Sequence, residues 1–377
     1  METYIDFSSY ASQESSWEAS PSDIVGICEN VIISSDEVIK KIEKLTYTIY
    51  EQIMNNDEDD DVVICFNRVS STKNSQIDPI LGVFVKYDTD DKKRISLIKN
   101  PKKFAIFMEI LSIIHRSLKQ REVISKRAIF YQDINLFQNQ EMVDITLEEI
   151  ACCLEVPRGS LGVIACPRGE VAGPLQWVNN QDTIVDCSTK IELIPSIIDS
   201  IRAQKTSAVA ILVVEKDTVF MRLVQSSIVK EVILVTGRGF PDYSTRLFVK
   251  LLEDTFDIPI VGLFDADPYG ILIMQTYRFG SKNAAHDGIN MSASKLKWLG
   301  IRPSEFDMIP KKNRMELNER DRNVINKMLN EFGLPDEIKI ELKIMIETNQ
   351  KAEIESIGFA ELVDLYLPRK FANFDWI

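Results

Sequence analysis

Three apolar segments in the second half of the chain end in polar residues, and an amphipathic helical pattern follows each of them. They are SAVAILVVEK (207–216), EVILVTGRG (231–239) and IPIVGLFDADPYG (258–270). Continuous apolar strands that alternate with helices are typical of a parallel sheet covered on both faces. Because functional groups on such sheets gather at the carboxyl ends of the strands, we expect Glu215, Asp265 and Asp267 to lie at one edge.

Helical periodicity dominates the chain before this sheet. Apolar residues recur at helical spacing from residue 101 onward, and further helices are predicted over 125–137 and 146–156. In the last of these, Thr146 is followed three residues later by Glu149, which is the spacing of a capping box. Short strand patterns with Gly- and Pro-rich turns come next. Three helices followed by a β-wing form a winged helix, a DNA-binding relative of the helix-turn-helix.

These patterns divide the chain into four regions and predict a fold of the α/β plus α+β class. The regions are an acidic, partly disordered N-terminal region (1–61), a strand-containing extension (62–100), a winged-helix domain (101–180) and a parallel-sheet domain with C-terminal helices (200–377). Apolar residues at helical spacing within 35–54 predict a helix in the first region. Residues 1–22 are rich in serine and lack an apolar pattern, which is typical of a disordered tail.

The net charge of −13 is unevenly distributed along the chain. Residues 1–61 contain 15 acidic and 3 basic residues, whereas residues 86–127 contain 12 basic and 5 acidic residues. The basic stretch leads directly into the segment that contains Tyr131. Such a stretch forms either an ordinary solvated face or a surface for the phosphates of nucleic acid.

Composition excludes several classes of protein. No apolar run reaches the length of about 18 residues that a membrane-spanning helix needs, and the N-terminus lacks the basic start of a secretory signal. We therefore expect no membrane association and a nuclear or cytosolic location. The six cysteines form no CxxC pair and there are only two histidines, which argues against a zinc site.

Carboxylates at the ends of two strands suggest a magnesium site. Asp265 and Asp267 are separated by one residue, so on an extended backbone both side chains point the same way. Together with Glu215 they offer hard oxygen ligands, which Mg²⁺ prefers and supplements with phosphate oxygens. The alternative is that these acids cap the helices that follow them.

The order of these motifs resembles a known family. A strand ending in glutamate, a strand ending in T-G-x-G-x-P-D and a strand ending in D-A-D-P-Y-G resemble the Toprim domain of topoisomerases and primases. VVEKDTVFMRL, VTGRGFPDYSTRLF and DADPYGILIM look like the A subunit of topoisomerase VI and its eukaryotic relative, the meiotic double-strand-break transesterase. KRAIFYQDINLFQNQ and VPRGSLGVIACPRGEVAGPL extend the resemblance upstream. It covers roughly residues 100–300, with a weaker similarity at KAEIESI (351–357).

The resemblance implies both a fold and a set of site residues. The fold is a winged-helix (catabolite-activator-like) DNA-binding domain followed by a Toprim domain. Tyr131 is the implied nucleophile, with Arg127 one helical turn earlier on the same face. A tyrosine hydroxyl is a weak nucleophile until its proton is removed or its anion is stabilised, and a fixed positive charge favours the anion. The implied metal is Mg²⁺, with Mn²⁺ as a substitute, held by the three acids named above.

Further residues are implied in DNA binding. They are Arg168, Gly237, Arg238 and Phe240. The chain departs from the family at Ala128, where aspartate is common, and at Arg168, where lysine is usual. The first change affects local packing of the helix, and the second retains a cation.

The implied function is the formation of programmed double-strand breaks that initiate meiotic recombination in the nucleus, on meiotic chromosomes. The implied partners are double-stranded DNA, a second copy of the chain, other meiotic break-forming proteins and a topoisomerase VI B-like subunit. Three alternatives stay open: an enzyme of the topoisomerase VI type that cleaves and reseals duplex DNA, a non-catalytic DNA-binding scaffold, and a Toprim nuclease that uses water. The chain has no Walker A motif, so any use of ATP belongs to another chain.

Overall fold

The computed structural model describes most of the chain. The described residues are 24–26, 33–55, 60–67, 75–77, 83–86, 92–164, 167–179, 181–196, 198, 201, 203–280, 288–331 and 334–377. The predicted disordered tail over residues 1–22 lies outside them. No helix in these ranges has the length and apolar character needed to cross a membrane.

The helices and strands are numbered in chain order. The helices are α1 (Ser35–Asn55), α2 (Pro101–Lys119), α3 (Lys126–Gln132), α4 (Ile134–Phe137), α5 (Gln140–Leu154), α6 (Asp217–Val224), α7 (Tyr243–Thr255), α8 (Pro268–Phe279), α9 (Gly288–Met291), α10 (Glu319–Glu331), α11 (Asp336–Thr348), α12 (Phe359–Glu361) and α13 (Leu367–Ala372). The strands are β1 (Ile24–Gly26), β2 (Val63–Asn67), β3 (Ser75–Ile77), β4 (Phe84–Lys86), β5 (Lys92–Ser96), β6 (Ile124–Ser125), β7 (Val163–Ile164), β8 (Glu170–Ala172), β9 (Leu175–Val178), β10 (Ile184–Asp186), β11 (Glu192–Leu193), β12 (Ala203–Thr206), β13 (Ala210–Val214), β14 (Val232–Thr236), β15 (Ile260–Leu263), β16 (Lys297–Gly300), β17 (Met315–Glu316) and β18 (Gln350–Lys351).

A six-stranded sheet forms the centre of the second half of the chain. Its strand order is β11-β8-β14-β13-β15-β16, and the last four strands in this order run parallel to one another. All residues of β13 and β14 are buried, which agrees with the uninterrupted apolar patterns there. The predicted parallel sheet is therefore confirmed.

Alternate residues of each central strand enter two different hydrophobic cores. Ile211 and Val213 pack in the core that includes α7, α8, α10 and α11. Leu212 and Val214 pack in the core that includes α6 and the C-terminal helices. Helices thus cover both faces of the sheet, because side chains alternate between faces along a strand.

A separate hydrophobic core holds α1, α2, α3 and α5 together. Its fully buried members include Phe107, Ile129, Leu147 and Leu161. The predicted helices over 35–54 and from residue 101 onward are both present as α1 and α2. We refer to α1–α5 with β2 and β5–β7, which surround this core, as the helical unit.

The strands predicted as a β-wing do not pair with one another. β8 lies antiparallel to β14 in the six-stranded sheet, and β9 lies between β12 and β10 in a separate sheet. Within the helical unit, β6 pairs in parallel with β7. The winged-helix prediction is therefore not confirmed by the described residues, since β8 and β9 lie in two different sheets and do not form a hairpin.

Two details of the helical unit differ from the sequence prediction. The single helix expected over 125–137 is interrupted at Asp133, whose side chain accepts a hydrogen bond from the backbone N–H of Leu136 and caps α4. The helix expected to begin at Thr146 begins instead at Gln140, with Asn139 as its cap. Thr146 lies inside α5 and Glu149 is buried, so the predicted capping box is wrong.

Replacing Asn139 with alanine should lower the free energy of unfolding by about 1 kcal/mol. The Asn139 side chain accepts a hydrogen bond of 2.8 Å from the backbone N–H of Met142, and alanine leaves that donor without a partner. Chemical denaturation of the purified chain measures the change. Gln140→Ala in the first turn of the same helix is the control and should stay within about 0.5 kcal/mol. Equal effects of the two variants would contradict the capping role.

Candidate active site

The carboxylates of Glu215 and Asp265 lie together at the carboxyl ends of two adjacent parallel strands. Glu215 follows β13 and Asp265 follows β15, and these strands pair directly. One Glu215 oxygen, Oε2, accepts a hydrogen bond of 2.8 Å from the backbone N–H of Asp265. Both residues are buried. The expected meeting of acids at one edge of the sheet is therefore observed.

Asp267 caps α8. Its side chain accepts a hydrogen bond of 2.6 Å from the backbone N–H of Gly270. A side chain at Gly270 has no room, because a Cβ atom there would lie 2.5 Å from the Asp265 carbonyl oxygen and 3.0 Å from Glu215 Oε2. The capping alternative is thus observed for Asp267, and its role as a metal ligand stays a prediction.

Burial raises the pKa of all three carboxyl groups, and repulsion among these acids adds to the effect at Glu215 and Asp265. Burial, followed by the charge of Asp265, raises the pKa of Glu215 to about 8. Burial raises the pKa of Asp265 to about 6, against the lowering effects of the Ile354 N–H and of Lys216. The pKa of Asp267 is also raised, mainly by burial. Raised pKa values mean that the negative charge is poorly stabilised, and a divalent cation among these oxygens would stabilise it.

Lys216 occupies the space beside Asp265. Its Nζ atom lies 3.1 Å from Asp265 Oδ2, 3.1 Å from Glu353 Oε2 and 2.8 Å from Glu355 Oε2. In the part of the chain that the structure describes, no three acidic, histidine or cysteine side chains are close enough to bind an ion directly. The donor chemistry therefore fits Mg²⁺, whereas the spacing of the acids requires side-chain movement before an ion is bound.

The glycine-rich turn after β14 lies against Glu215 at the end of β13. The backbone N–H of Gly239 donates a hydrogen bond of 2.9 Å to the Glu215 carbonyl oxygen. Gly239 has φ +88°, a conformation that glycine adopts readily. A Cβ at Gly237 would lie 2.5 Å from the hydroxyl of the buried Tyr277. Close packing therefore requires glycine at position 237, and the backbone conformation favours glycine at position 239.

Phe240 and Arg168 form an exposed pair next to this turn. The Phe240 side chain is 45% exposed. Arg168 Nη2 donates a hydrogen bond of 3.3 Å to the Phe240 carbonyl oxygen, and the Arg168 backbone N–H donates one of 3.1 Å to Asp242 Oδ2. Asp242 also caps α7, because its side chain accepts a hydrogen bond from the backbone N–H of Thr245. The structure thus brings together two of the residues that the resemblance implies in DNA binding.

Arg238 forms ion pairs within the protein. Its guanidinium lies 3.1 Å from Asp217 Oδ1 and 2.5 Å from Glu170 Oε1. These contacts attach β8 and the start of α6 to the glycine-rich turn. Contact between Arg238 and DNA, which the resemblance implies, requires that these two acids share or release the guanidinium.

Tyr131 lies on a short capped helix of the helical unit. Ser125 caps α3 by accepting a hydrogen bond from the backbone N–H of Ala128, and Ile129 anchors the helix in the core. Residues two positions apart on a helix point in nearly opposite directions, so burial of Ile129 leaves Tyr131 63% exposed. The Tyr131 ring contacts Phe130 at 5.4 Å between centroids.

The candidate residues therefore fall into two groups. Arg127 is exposed one turn before Tyr131 on the same helix. Among the described residues, no hydrogen bond or ring contact joins Tyr131 to the three acids of the sheet.

Sequence reasoning missed Lys216, and the weak similarity at 351–357 was the only signal that this segment joins the site. The segment reaches it directly, since the backbone N–H of Ile354 donates a hydrogen bond of 2.8 Å to Asp265 Oδ1.

Comparisons with known proteins agree with this division. The family model for the Toprim domain of the topoisomerase 6 A subunit and Spo11 matches residues 210–371, and the type IIB DNA topoisomerase model matches residues 102–163. These matches place the chain in the class of topoisomerase-like DNA transesterases.

Individual relatives are similar over most of the chain. The meiotic recombination protein SPO11 of Mus musculus is 34% identical over 359 residues, which cover 92% of this chain and 90% of that protein. The Homo sapiens protein of the same name is 32% identical over the same shares. The A subunit of DNA topoisomerase 6 from Arabidopsis thaliana is 37% identical over 79% of this chain and 73% of that protein. The chain belongs to the family of Spo11 and the topoisomerase 6 A subunit.

Proposed function

We propose that this protein makes programmed DNA double-strand breaks that initiate meiotic recombination, by attack of Tyr131 on a backbone phosphate. The observation that carries the proposal is the exposure of Tyr131 on a capped helix whose neighbour Ile129 is fully buried. This exposure leaves the Tyr131 side chain accessible to a DNA phosphate. The names of the relatives in Mus musculus and Homo sapiens support the meiotic role.

The chemical step is a transesterification. The Tyr131 oxygen forms a bond to the phosphorus, the bond from phosphorus to the 3′ oxygen breaks, and the 5′ phosphate remains linked to the tyrosine. The tyrosine gives up one proton and the departing 3′ oxygen takes one up, so neither water nor a nucleotide is consumed. Arg127 supplies a fixed positive charge one turn away, which favours the phenolate and holds the phosphate.

The metal site in this proposal uses Glu215, Asp265 and Asp267 as the residues that hold Mg²⁺, with Mn²⁺ as a substitute. A divalent ion bound there supplies positive charge that stabilises the phosphate during displacement. The buried carboxylates orient the phosphate by holding that charge at a fixed edge of the sheet. Gly237, Arg238, Phe240 and Arg168 form the surrounding DNA-contacting surface.

We also propose how the protein assembles and where it acts. Since Tyr131 and the three acids belong to different units of the chain, the tyrosine of one copy works with the acids of a second copy. Two copies then meet on one duplex in the nucleus, together with other meiotic break-forming proteins and a topoisomerase VI B-like subunit. The proposed domain division is an N-terminal region (1–61), a strand-containing extension (62–100), a winged-helix domain (101–180) and a Toprim domain with C-terminal helices (200–377).

The direct test of the proposal is isolation of a peptide that contains Tyr131 covalently linked to DNA. DNA-bound protein from meiotic cells is digested with protease and nuclease, and mass spectrometry locates the nucleotide adduct. An adduct on another residue, or free 5′ phosphates at the breaks, would overturn the assignment and favour the Toprim nuclease that uses water.

A topoisomerase of the type VI class that reseals DNA is the second candidate, and the similarity to the Arabidopsis thaliana protein supports it. Relaxation or decatenation of supercoiled DNA with an ATPase partner separates the two functions. Resealed product would favour the topoisomerase. A non-catalytic scaffold predicts that neither adduct nor resealing is found.

Replacing Arg168 with alanine should weaken DNA binding about 3- to 10-fold near 0.1 M salt, because one phosphate contact is lost. The slope of log affinity against log salt should fall by about 1. Fluorescence anisotropy with a short duplex measures both quantities. Arg320→Ala, which removes an exposed arginine from α10, is the control and should change neither. An unchanged salt slope in the Arg168 variant would contradict a phosphate contact.

A further inference from the structure

The ammonium group of Lys216 contacts Asp265, one of the three acids proposed to hold the metal. It follows Glu215 directly and precedes α6, and its side chain is 23% exposed. Three carboxylates surround its ammonium group, with oxygens at 3.1 Å (Asp265), 3.1 Å (Glu353) and 2.8 Å (Glu355). Only Asp265 among these acids belongs to the set proposed to hold the metal.

Both oxygens of Asp265 already have partners. Oδ1 accepts the hydrogen bond from the backbone N–H of Ile354, and Oδ2 contacts the Lys216 ammonium. Two backbone hydrogen bonds of 2.9 and 3.1 Å between Ala266 and Ala352 fix the C-terminal segment beside Asp265. The hydroxyl of Thr218 donates a hydrogen bond of 3.0 Å to Glu355 Oε1, which holds that carboxylate in place.

The spacing of these oxygens suits an ammonium ion and not Mg²⁺. An ammonium group hydrogen-bonds carboxylates at about 2.7–2.9 Å, whereas Mg²⁺ requires oxygens at about 2.0–2.1 Å. The observed distances of 2.8 to 3.1 Å belong to the first kind.

We propose that Lys216 is an internal counter-ion that competes with the divalent metal for Asp265. When the metal binds, the ammonium leaves Asp265 and remains held by Glu353 and Glu355, which are outside the metal-binding set. Lys216 is therefore a positioning residue: it acts through Asp265 and keeps metal affinity low in the free protein. This inference rests on the proposed metal-binding role of Asp265.

The competition between Lys216 and the metal should make metal binding depend on DNA. Removing Lys216 from Asp265 costs electrostatic energy, which the metal must offset through the ligands it gains. Phosphate oxygens of bound DNA supply additional ligands for Mg²⁺. Metal affinity should therefore rise when DNA is present, so that protein without DNA seldom holds the metal.

The test is a titration of the full chain with Mn²⁺ in the absence of DNA, with free Mn²⁺ counted by electron paramagnetic resonance. Lys216→Met removes the competing charge at similar side-chain length and should lower the Mn²⁺ Kd at least about tenfold. Lys216→Arg keeps the charge and should stay within about threefold of the unchanged protein. Lys250→Met is the matched control, because its ammonium is similarly exposed and lies 3.1 Å from Glu253 and 2.6 Å from Asp254, and not beside the three acids. It should also stay within about threefold.

Each result is decisive. Unchanged or weaker Mn²⁺ binding by Lys216→Met would show that Lys216 only fastens the C-terminal segment, and would overturn the inference. Equal tightening by Lys250→Met would show a general effect of charge and would overturn it too. If Lys216→Met does not fold, Lys216→Gln provides the same comparison, since its amide still donates a hydrogen bond. Absence of Mn²⁺ binding in every variant would remove the metal site itself, a failure of the proposed function that the titration separates from failure of the competition.

Discussion

Cells whose only copy of this protein carries Tyr131→Phe form no protein-linked DNA ends. The substitution removes one oxygen atom and leaves the ring, so the contact with Phe130 and the burial of Ile129 are retained. Without the oxygen no phosphotyrosyl bond can form, and we expect cleavage to fall by on the order of 10⁴-fold or more. Immunoprecipitation of the protein followed by end-labelling of attached DNA measures the product.

Tyr47→Phe is the matched control. Tyr47 lies on α1, is 60% exposed and also contacts a neighbouring aromatic ring, that of Tyr50. Loss of its hydroxyl should leave the level of linked ends within about twofold of the unchanged protein, as expected for a surface substitution. Linked ends that persist in the Tyr131 variant would remove Tyr131 as the nucleophile.

Asp267→Asn should reduce DNA cleavage by at least about 100-fold while the protein keeps its stability. Asparagine caps a helix as well as aspartate, so the hydrogen bond to the Gly270 N–H is retained and the free energy of unfolding should change by less than about 0.5 kcal/mol. The lost negative charge is the one that would hold the metal. Denaturation and cleavage assays on the same preparation separate the capping role from the metal-binding role.

Mixing two inactive variants tests whether the active site is shared. A dimer of one Tyr131→Phe chain and one Asp267→Asn chain has a single complete site, made from the tyrosine of the second chain and the acids of the first. Such a mixture should produce single-strand nicks, whereas each variant alone produces none. If the mixture is as inactive as its components, the tyrosine and the acids of one copy work together. For the Asp267→Asn variant on its own, an unchanged level of breaks would mean that Asp267 only caps the helix.

The sheet and its helices could be predicted because local pattern and final environment agree there. β13 and β14 are apolar at nearly every position and buried at every position, and Asp242 precedes its helix with the residue type that caps helices. Meeting of Glu215 and Asp265 followed from the geometry of parallel strands alone. A continuous apolar pattern is sufficient to predict a strand when helices cover both of its faces.

The capping box predicted in the helical unit was wrong for a different physical reason. Thr146 and Glu149 have capping-box spacing, but Glu149 is 0% exposed and pairs with Lys93 and Lys103 from distant elements. These same lysines are part of the basic stretch that was a candidate surface for nucleic acid. Tertiary ion pairs of this kind leave no local signal in a sequence.

The sequence also did not predict which strands pair with each other or which distant side chains come into contact. The pattern in Glu170–Ala172 indicates a strand, but nothing local says that β14, about 60 residues away, is its neighbour. Likewise, Lys216 meets Glu355, which is 139 residues further along the chain. The acids at the strand ends can therefore be predicted from the sequence. Contacts such as the one between Lys216 and Glu355 are found only in the folded structure.

The hydrogen bond between Ile354 and Asp265 joins residues that are 89 positions apart. Synthesis on the ribosome proceeds from the N-terminus, so Tyr131 and all three carboxylates emerge long before Ile354 does. A nascent or prematurely terminated chain that lacks residues 350–355 has neither the donor for Asp265 Oδ1 nor Glu353 and Glu355, which hold the Lys216 ammonium together with Asp265. Translation order therefore postpones the finished arrangement around Asp265 until this late segment has been made and has folded back onto the sheet.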